Sequence, residues 1–386
     1  MEGWFSSIKR SPLATLLLAI TYFMSGLVIN LGQLVLWVGV RPLNKSLYRR
    51  LNYYLAYSLY SQLVFLAEWW SGCDVMVYIN REDFDKYYGK EHGYLIMNHA
   101  YDIDWLMGWV FCDRIRLLGN CKTYAKKVLQ YIPTMGWAWK FGESVFLERN
   151  WEKDKEIISK QLKELVEYPS PIWLLLFAEG TRFSEHKHAA SMKFAKERGL
   201  PLLKHHLVPR TRGFTSSIPH LKEKMGAIYD VQLAFKKDDK IEPSMSNLLI
   251  GKGVTAHLYI RRIPMDGVPT DEQEANQWLH ELYQRKDQMQ DSFYNTGDFF
   301  KENDLDRVEP FLLPRRKASL INWCVWFVVT LVPMSYWLAC LLTSGSTVKF
   351  SIGAAIIASF FFLLYKIVGM TKISKASSYG SDAKRD

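Results

Sequence analysis

A histidine and an aspartate five positions apart, His99 and Asp104, have the clearest chemical use in this sequence. They follow the short apolar run 94–97. Five positions along one helix place two side chains about 140° apart, so the pair predicts a turn at His99 and a helix starting near Asp104. A carboxylate there can orient the imidazole as a general base that removes a proton from an alcohol. A second acid, Asp102, lies three positions from His99.

Four consecutive residues after the very apolar run 172–176 predict an anion site. Gly180 allows a tight turn or the close approach of a ligand. Thr181 and Arg182 offer a hydroxyl and a planar guanidinium to an anion. Glu179 would accept a hydroxyl of the ligand or hold Arg182. The same residues also fit a strand-to-helix loop with an incidental ion pair, and the segment alone leaves both interpretations open.

Further basic residues stand at similar positions. Arg149 follows the predicted strand 144–147, and Arg210 and Arg212 follow another apolar run. Lys127 belongs to a pair of adjacent lysines. Such groups bind phosphate at strand ends, but each one taken alone is equally well explained as an ordinary surface cation.

The composition narrows the class of partner. The chain has 386 residues, 49% of them hydrophobic, and a net charge of +10. A basic chain suits nucleic acid, an anionic bilayer or a phosphorylated substrate. No nucleic-acid motif accompanies the charge, so we expect membrane and phosphate rather than nucleic acid. The five cysteines show neither metal-ligand spacing nor a disulfide pattern, and no metal site is predicted.

Apolar segments predict membrane contact at both ends of the chain. The uncharged run 13–40 would form a helix about 42 Å long, enough to span a bilayer with tilt or to dip into one leaflet. Residues 51–70 predict an interfacial or packed helix. The runs 320–342 and 350–365 predict a transmembrane hairpin. Basic residues flank that hairpin, so both of its ends and the preceding domain are predicted to face the cytosol.

The middle of the chain alternates strand-like and helix-like segments, which predicts an α/β domain with a largely parallel sheet. The predicted strands are 75–78, 94–98, 115–118, 144–147, 172–177, 203–208, 230–235 and 256–260, and the predicted helices are 104–112, 126–131, 151–167, 185–197 and 271–290. We expect an N-terminal membrane region over 1–73, the α/β domain over 74–307, and a linker, hairpin and basic tail over 308–386. Ligands bind at the carboxyl ends of parallel strands, where the polar residues above fall.

Four blocks in this order resemble the motifs of the glycerolipid acyltransferases, specifically the 1-acyl-sn-glycerol-3-phosphate (lysophosphatidate) acyltransferases. The blocks are Asn98-His99-x4-Asp104, Phe146-x2-Arg149, Glu179-Gly180-Thr181-Arg182 and Val208-Pro209 before Gly213. The whole chain is similar to the animal gamma and delta forms. Ala178 stands where proline is usual, and Arg210 where many members have an apolar residue.

The resemblance implies an enzyme that moves an acyl chain from acyl-CoA to the sn-2 hydroxyl of lysophosphatidic acid, giving phosphatidic acid. His99 would be the base and Asp104 its orienting partner. The acceptor would be bound by Arg149, Glu179, Gly180, Thr181 and Arg182, with Lys127 a further phosphate ligand and Lys126 a less suitable one.

No cofactor is implied beyond acyl-CoA as co-substrate, and the domain would face the cytosol at the endoplasmic reticulum membrane. The aromatic stretch 131–141 and the N-terminal helices suit an acyl-chain groove or membrane-facing packing. Two alternatives stay open: another acceptor, lysophosphatidylinositol or lysocardiolipin, and a membrane scaffold without activity.

Overall fold

An eight-stranded sheet forms the centre of the described chain, in a computed structural model that describes residues 7–148 and 150–371. The strands are β1 Asp74–Tyr78, β2 Gly93–Met97, β3 Cys121–Lys126, β4 Val145–Leu147, β5 Trp173–Leu176, β6 Ala227–Ala234, β7 Thr255–Pro264 and β8 Pro310–Leu312. Their order is β4-β3-β5-β2-β6-β7-β1-β8. Only the β6–β7 and β1–β8 pairs are antiparallel. The predicted α/β fold with a largely parallel sheet is confirmed.

The described helices are α1 Pro12–Val35, α2 Lys45–Phe65, α3 Arg81–Tyr87, α4 Asp104–Arg114, α5 Met135–Phe141, α6 Trp151–Leu165, α7 Glu185–Arg198, α8 Thr211–Thr215, α9 Ile218–Leu221, α10 Met245–Leu249, α11 Glu272–Thr296, α12 Lys317–Trp326, α13 Val332–Leu342 and α14 Thr347–Thr371. Single π-helical turns, Leu36–Val40 and Leu66–Trp70, extend α1 and α2, and a third joins α12 to α13. The predicted helix 126–131 is the short 3-10 helix Lys127–Tyr131.

The predicted strand 115–118 is wrong. This segment is a turn that leads into the 3-10 helix Leu118–Asn120, and the strand of this region, β3, begins at Cys121. Leu117 and Leu118 are buried because the turn packs against α2: a Cβ on Gly119 would lie 2.3 Å from the backbone oxygen of Tyr53. The apolar run therefore reflects the burial of a turn.

The predicted strand 203–208 is also wrong. Leu203 and Leu207 are buried, but the backbone has no strand partner. Side chains bind its N–H groups instead: Asp287 those of Lys204 and His205, Glu179 that of Leu207, and Ser191 that of Val208. Buried backbone N–H groups need such side-chain partners wherever no neighbouring strand provides backbone hydrogen bonds.

The sheet extends beyond the predicted domain boundary at 307. Within the segment interpreted as a linker, β8 pairs antiparallel with β1 and forms one edge of the sheet. At the centre, all five residues of β2 are buried, which is typical of a parallel strand covered on both faces. The predicted basic tail, residues 372–386, lies outside the described residues.

The N-terminal helix packs against the α/β domain through polar side chains as well as apolar ones. Asn30 donates to the backbone oxygen of Thr134 at 3.2 Å and accepts from its N–H at 2.9 Å. Gln33 donates to Asn52 on α2 at 2.9 Å. A Cβ on Gly26 would approach the Thr134 side chain at 2.8 Å. The middle of α1 therefore lies beside the domain.

Two helical stretches of the described chain, Pro12–Val40 and Lys317–Leu342, are long and apolar enough to cross a membrane, and Thr347–Leu363 is a shorter apolar stretch. Within its most apolar window, Pro12–Val40 is 50% buried in the protein, compared with 17% for Lys317–Leu342. The basic residues that precede α12 bind the domain, since Arg315 pairs with Asp74 at 2.7 Å and Arg316 with Asp113 at 3.0 Å.

Candidate active site

His99 lies on the turn between β2 and α4, where the sequence predicted it. The turn starts with Asn98, whose side chain donates to the backbone oxygen of Leu233 at 2.9 Å and accepts from its N–H at 2.8 Å. Asn98 thus continues the pairing of β2 with β6 through its side-chain amide. This frees the backbone to leave the sheet and to place His99 at the carboxyl edge.

Asp104 orients His99 and holds the turn at the same time. Its Oδ2 lies 3.1 Å from Nδ1 of His99 and accepts the N–H groups of Ala100 at 2.7 Å and Tyr101 at 2.8 Å. Asp104 is 1% exposed, whereas 18% of the His99 side chain is exposed. The ring of His99 stacks on Phe177 with centroids 4.1 Å apart. With Nδ1 on Asp104, the other ring nitrogen, Nε2, is the one available to a substrate.

Asp102 has a different position. Its carboxylate accepts the N–H of Met245, at the start of α10, at 3.3 Å from each oxygen. The acid at the five-residue spacing, rather than the nearer one, is therefore the one that bonds the imidazole.

Glu179 stabilises the turn that carries His99. Its side chain is buried, with Oε1 accepting the N–H of His99 at 2.9 Å and Oε2 that of Leu207 at 3.2 Å. Burial raises the pKa of Glu179 to about 8, although the two N–H groups oppose the shift. Both oxygens thus hold backbone, and Glu179 joins the turn of His99 to the 203–208 segment.

Gly180 has a left-handed backbone with φ +70°. A Cβ at this position would lie 2.9 Å from Cδ of Arg210 and 3.0 Å from its Nε. A glycine is therefore needed here for two reasons: the backbone of the turn is left-handed, and the side chain of Arg210 packs where a Cβ would lie. The backbone N–H of Arg210 also donates to the oxygen of Ala178 at 2.7 Å, which fixes the two loops together.

Arg182 lies close to the His99–Asp104 pair. Burial lowers the pKa of Arg182, while the nearby Asp102 and Asp104 oppose that shift. The hydroxyl of Thr181 accepts a hydrogen bond from Nζ of Lys187 at 2.7 Å. Arg182, predicted for the anion, is thus near the His99–Asp104 pair, and Thr181 precedes it on the same loop.

Lys127 is exposed and pairs with Glu148. Its neighbour Lys126, which ends β3, acts electrostatically on Lys187. Arg149 lies outside the described residues, so its predicted role stays a prediction.

Sequence reasoning missed a polar cluster on α11, in which Asp287 is half-buried and Lys286 is fully buried. The carboxylate of Asp287 accepts the N–H groups of Lys204 at 2.6 Å and His205 at 2.8 Å and lies 2.9 Å from Nδ1 of His206. Lys286 is fully buried and pairs with Asp230 at 2.6 Å. These residues are far apart in sequence, and no local spacing signals their contact.

The described part of the chain contains no group of three or more His, Cys, Asp or Glu side chains that could bind a metal ion. What the site does offer is an oriented imidazole, a nearby arginine, and backbone held by buried carboxyl groups.

Comparisons with known proteins identify the family of this chain. Residues 77–216 match the acyltransferase family model, and residues 247–326 match the model of the acyltransferase C-terminus. The human 1-acyl-sn-glycerol-3-phosphate acyltransferase gamma is 41% identical over 382 residues, covering 98% of both chains. The human delta form is 40% identical over 385 residues, covering 98% of this chain and 97% of the other.

A solved structure of the 1-acyl-sn-glycerophosphate acyltransferase from Thermotoga maritima aligns with a TM-score of 0.39 and 17% identity, covering 71% of this chain and 96% of the other. The part of the fold that carries the His–Asp turn, residues 77–216, is an acyltransferase domain. The chain belongs to the 1-acyl-sn-glycerol-3-phosphate acyltransferase family, with the gamma and delta forms as relatives along nearly its whole length.

Proposed function

We propose that this protein transfers an acyl chain from acyl-CoA to the sn-2 hydroxyl of lysophosphatidate and so produces phosphatidate. The observation that carries the proposal is the bond between His99 Nδ1 and Asp104 Oδ2 at 3.1 Å, beside Arg182. An imidazole oriented in this way accepts a proton from an alcohol, and the neighbouring guanidinium suits the phosphate of the same acceptor.

The reaction needs one base and no covalent enzyme intermediate. Nε2 of His99 takes the hydroxyl proton as the oxygen attacks the thioester carbonyl. When the tetrahedral intermediate collapses, the C–S bond breaks, and the proton passes from the imidazolium to the leaving thiolate. Asp104 stabilises the imidazolium and fixes its tautomer, as the carboxylate does in a serine hydrolase triad. General base assistance supplies ~10²–10⁴-fold, and the orientation of two bound substrates must supply much of the rest.

Membrane association follows from the two ends of the chain. We propose that Lys317–Leu342 and Thr347–Leu363 form a transmembrane hairpin and that α1 lies in one leaflet. A spanning α1 would carry most of its length into the bilayer core, but Asn30, in its C-terminal half, is bonded to Thr134 of the domain. The outer face of α1 exposes apolar side chains, such as Leu31 at 62% and Val35 at 61%, that suit lipid.

This arrangement keeps the catalytic domain at the membrane surface. We place that surface on the cytosolic side of the endoplasmic reticulum, since acyl-CoA is cytosolic and basic residues flank the hairpin.

An acyl-transfer assay on membranes that contain the protein tests the function. Release of free CoA thiol is followed with lysophosphatidate, lysophosphatidylinositol or lysocardiolipin as acceptor. The proposal expects the highest kcat/KM with lysophosphatidate and loss of the activity in His99→Ala. Preference for another acceptor would replace the proposed substrate, and undiminished activity in His99→Ala would overturn the mechanism.

A further inference from the structure

A lysine outside the four motif blocks points its ammonium group at the third block. Lys187 lies in the first turn of α7, which Ser184 caps by accepting the N–H of Lys187. Its Nζ donates to Oγ1 of Thr181 at 2.7 Å and to the backbone oxygen of Arg182 at 3.2 Å. The side chain is thus held against the segment that we assign to the acceptor.

This position is electrostatically unfavourable for a cation in the absence of an anion. A positive charge in the first turn opposes the helix dipole, which favours negative groups there. Two more cations are close, since Arg182 and Lys126 both act to lower the pKa of Lys187 after burial itself. Asp102 and Asp104 offset part of the charge of Arg182. An anion bound among the three cations would offset the remaining repulsion.

Sheet topology supports the convergence of these cations. Lys126 ends β3, which runs parallel to β5, and β5 leads into Thr181 and Arg182. The carboxyl ends of parallel neighbours meet at one edge. Lys187 lies on the first helix after that edge. The three cations therefore come from the ends of two neighbouring strands and from the helix that follows one of them.

We propose that Lys187 is a specificity-determining residue that binds the phosphate monoester of the acceptor together with Arg182 and Lys126. This inference rests on the proposed function, and it explains how the enzyme would select an acceptor with a phosphate monoester head group. A monoester carries a charge of about −1.5 to −2 and three terminal oxygens, which suits three cations. A phosphodiester, such as lysophosphatidylinositol, has one charge and two terminal oxygens, and its head group occupies the third position.

The test compares Lys187→Gln with Lys193→Gln on the same helix. Lys193 is a matched control, because its side chain is 80% exposed and faces Glu197 at 4.0 Å. KM is measured for lysophosphatidate and for acyl-CoA, and inhibition constants are measured for dodecyl phosphate, a monoester, and dodecyl methyl phosphate, a diester. These constants do not depend on the folded fraction of a preparation.

In Lys187→Gln we expect KM for lysophosphatidate and the inhibition constant of dodecyl phosphate to rise roughly 10- to 100-fold, as for the loss of one charged hydrogen bond. KM for acyl-CoA and the inhibition constant of the diester should stay near those of the wild type. Lys187→Arg should recover part of the monoester affinity, and Lys193→Gln should match the wild type.

Three results would overturn the proposal. Equal weakening of monoester and diester would reduce Lys187 to a support for Thr181. A change confined to acyl-CoA would assign the lysine to a donor phosphate. Unchanged constants in Lys187→Gln would remove it from the site. These results can be distinguished from failure of the proposed function, because that failure would appear in the wild-type protein as a preference for another acceptor.

Discussion

Glu179 accepts the backbone N–H of His99 at 2.9 Å. Asp104 meanwhile bonds the imidazole of the same residue, so two buried carboxyl groups hold one histidine, one through its backbone and one through its ring. A base fixed at both points loses little orientation when a substrate arrives, and such preorganisation is a main source of catalytic rate.

The dyad assignment predicts unequal effects for three substitutions. His99→Ala should lower kcat by ~10²–10⁴-fold or more, because the proton acceptor is lost. Asp104→Asn should be nearly as severe, because a neutral amide cannot stabilise the imidazolium that forms as the carboxylate does. Asp102→Asn should keep most activity, because that carboxylate bonds Met245. Initial rates at saturating substrates measure these effects, and near-normal rates in Asp104→Asn with a large loss in Asp102→Asn would reverse the assignment.

Arg182→Lys should weaken the acceptor more than the donor. The lysine keeps the charge but loses the planar fork that bonds two phosphate oxygens. We expect a raised KM for lysophosphatidate with little change in KM for acyl-CoA. Arg198→Lys, at the far end of α7, is the control. A change limited to acyl-CoA would move Arg182 to the donor site.

Glu179 predicts a stability that falls with rising pH. Burial raises the pKa of this carboxyl to about 8, whereas an unfolded glutamate titrates near 4.3. The folded state therefore favours the neutral acid, and its contribution is complete below the unfolded pKa and is lost as pH rises through about 8. Thermal unfolding in detergent at acidic and mildly alkaline pH measures the difference.

The matched variants for that experiment are Glu179→Gln and Glu281→Gln. The amide does not titrate, so Glu179→Gln should lose part of the pH dependence, although its NH₂ conflicts with one backbone donor and lowers stability at every pH. Glu281 is exposed, and its variant should keep the wild-type profile. An unchanged pH dependence in Glu179→Gln would show that this group does not titrate in the window.

Asp287→Asn should destabilise the fold by about 1–3 kcal/mol, because its NH₂ group would face a donor among Lys204, His205 and His206. Asp291→Asn is the control one helical turn further along α11. Its carboxylate receives Lys204 and His205 near the surface, so the expected cost is below about 1 kcal/mol. Denaturant midpoints give both values, and equal costs would argue against a special role for Asp287, the less exposed of the two acids.

Membrane orientation predicts that Asn44 carries no glycan, although Asn44-Lys45-Ser46 is a glycosylation sequon. Its side chain caps α2 by accepting the N–H of Leu47 at 2.9 Å, and the adjacent domain should face the cytosol. Protease added to sealed microsomes should cleave within Trp151–Leu165. A glycan on Asn44, or a domain that is cleaved only after detergent is added, would contradict the orientation.

Local sequence patterns predicted the parts of the site that depend on local structure. The strand, turn and helix around His99 follow from the apolar run and from an acid at a helix start. The backbone-holding role of Glu179 did not follow, because it depends on the 203–208 segment, which is distant in sequence. The apolar runs 115–118 and 203–208 were wrongly predicted as strands, because hydrophobicity indicates burial and not the pattern of backbone hydrogen bonds. Most of their apolar side chains are buried, but their backbone is irregular.

Thr134 has a left-handed backbone with φ +69°, a conformation that costs a threonine about 1–3 kcal/mol. Asn30 of the N-terminal helix holds it by bonding both its N–H and its oxygen. This N-terminal helix is therefore part of the folding unit of the enzyme and not an interchangeable tether. Trimming it should yield a misfolded chain instead of a water-soluble catalyst, and grafting on an unrelated anchor should restore attachment to the membrane without restoring turnover.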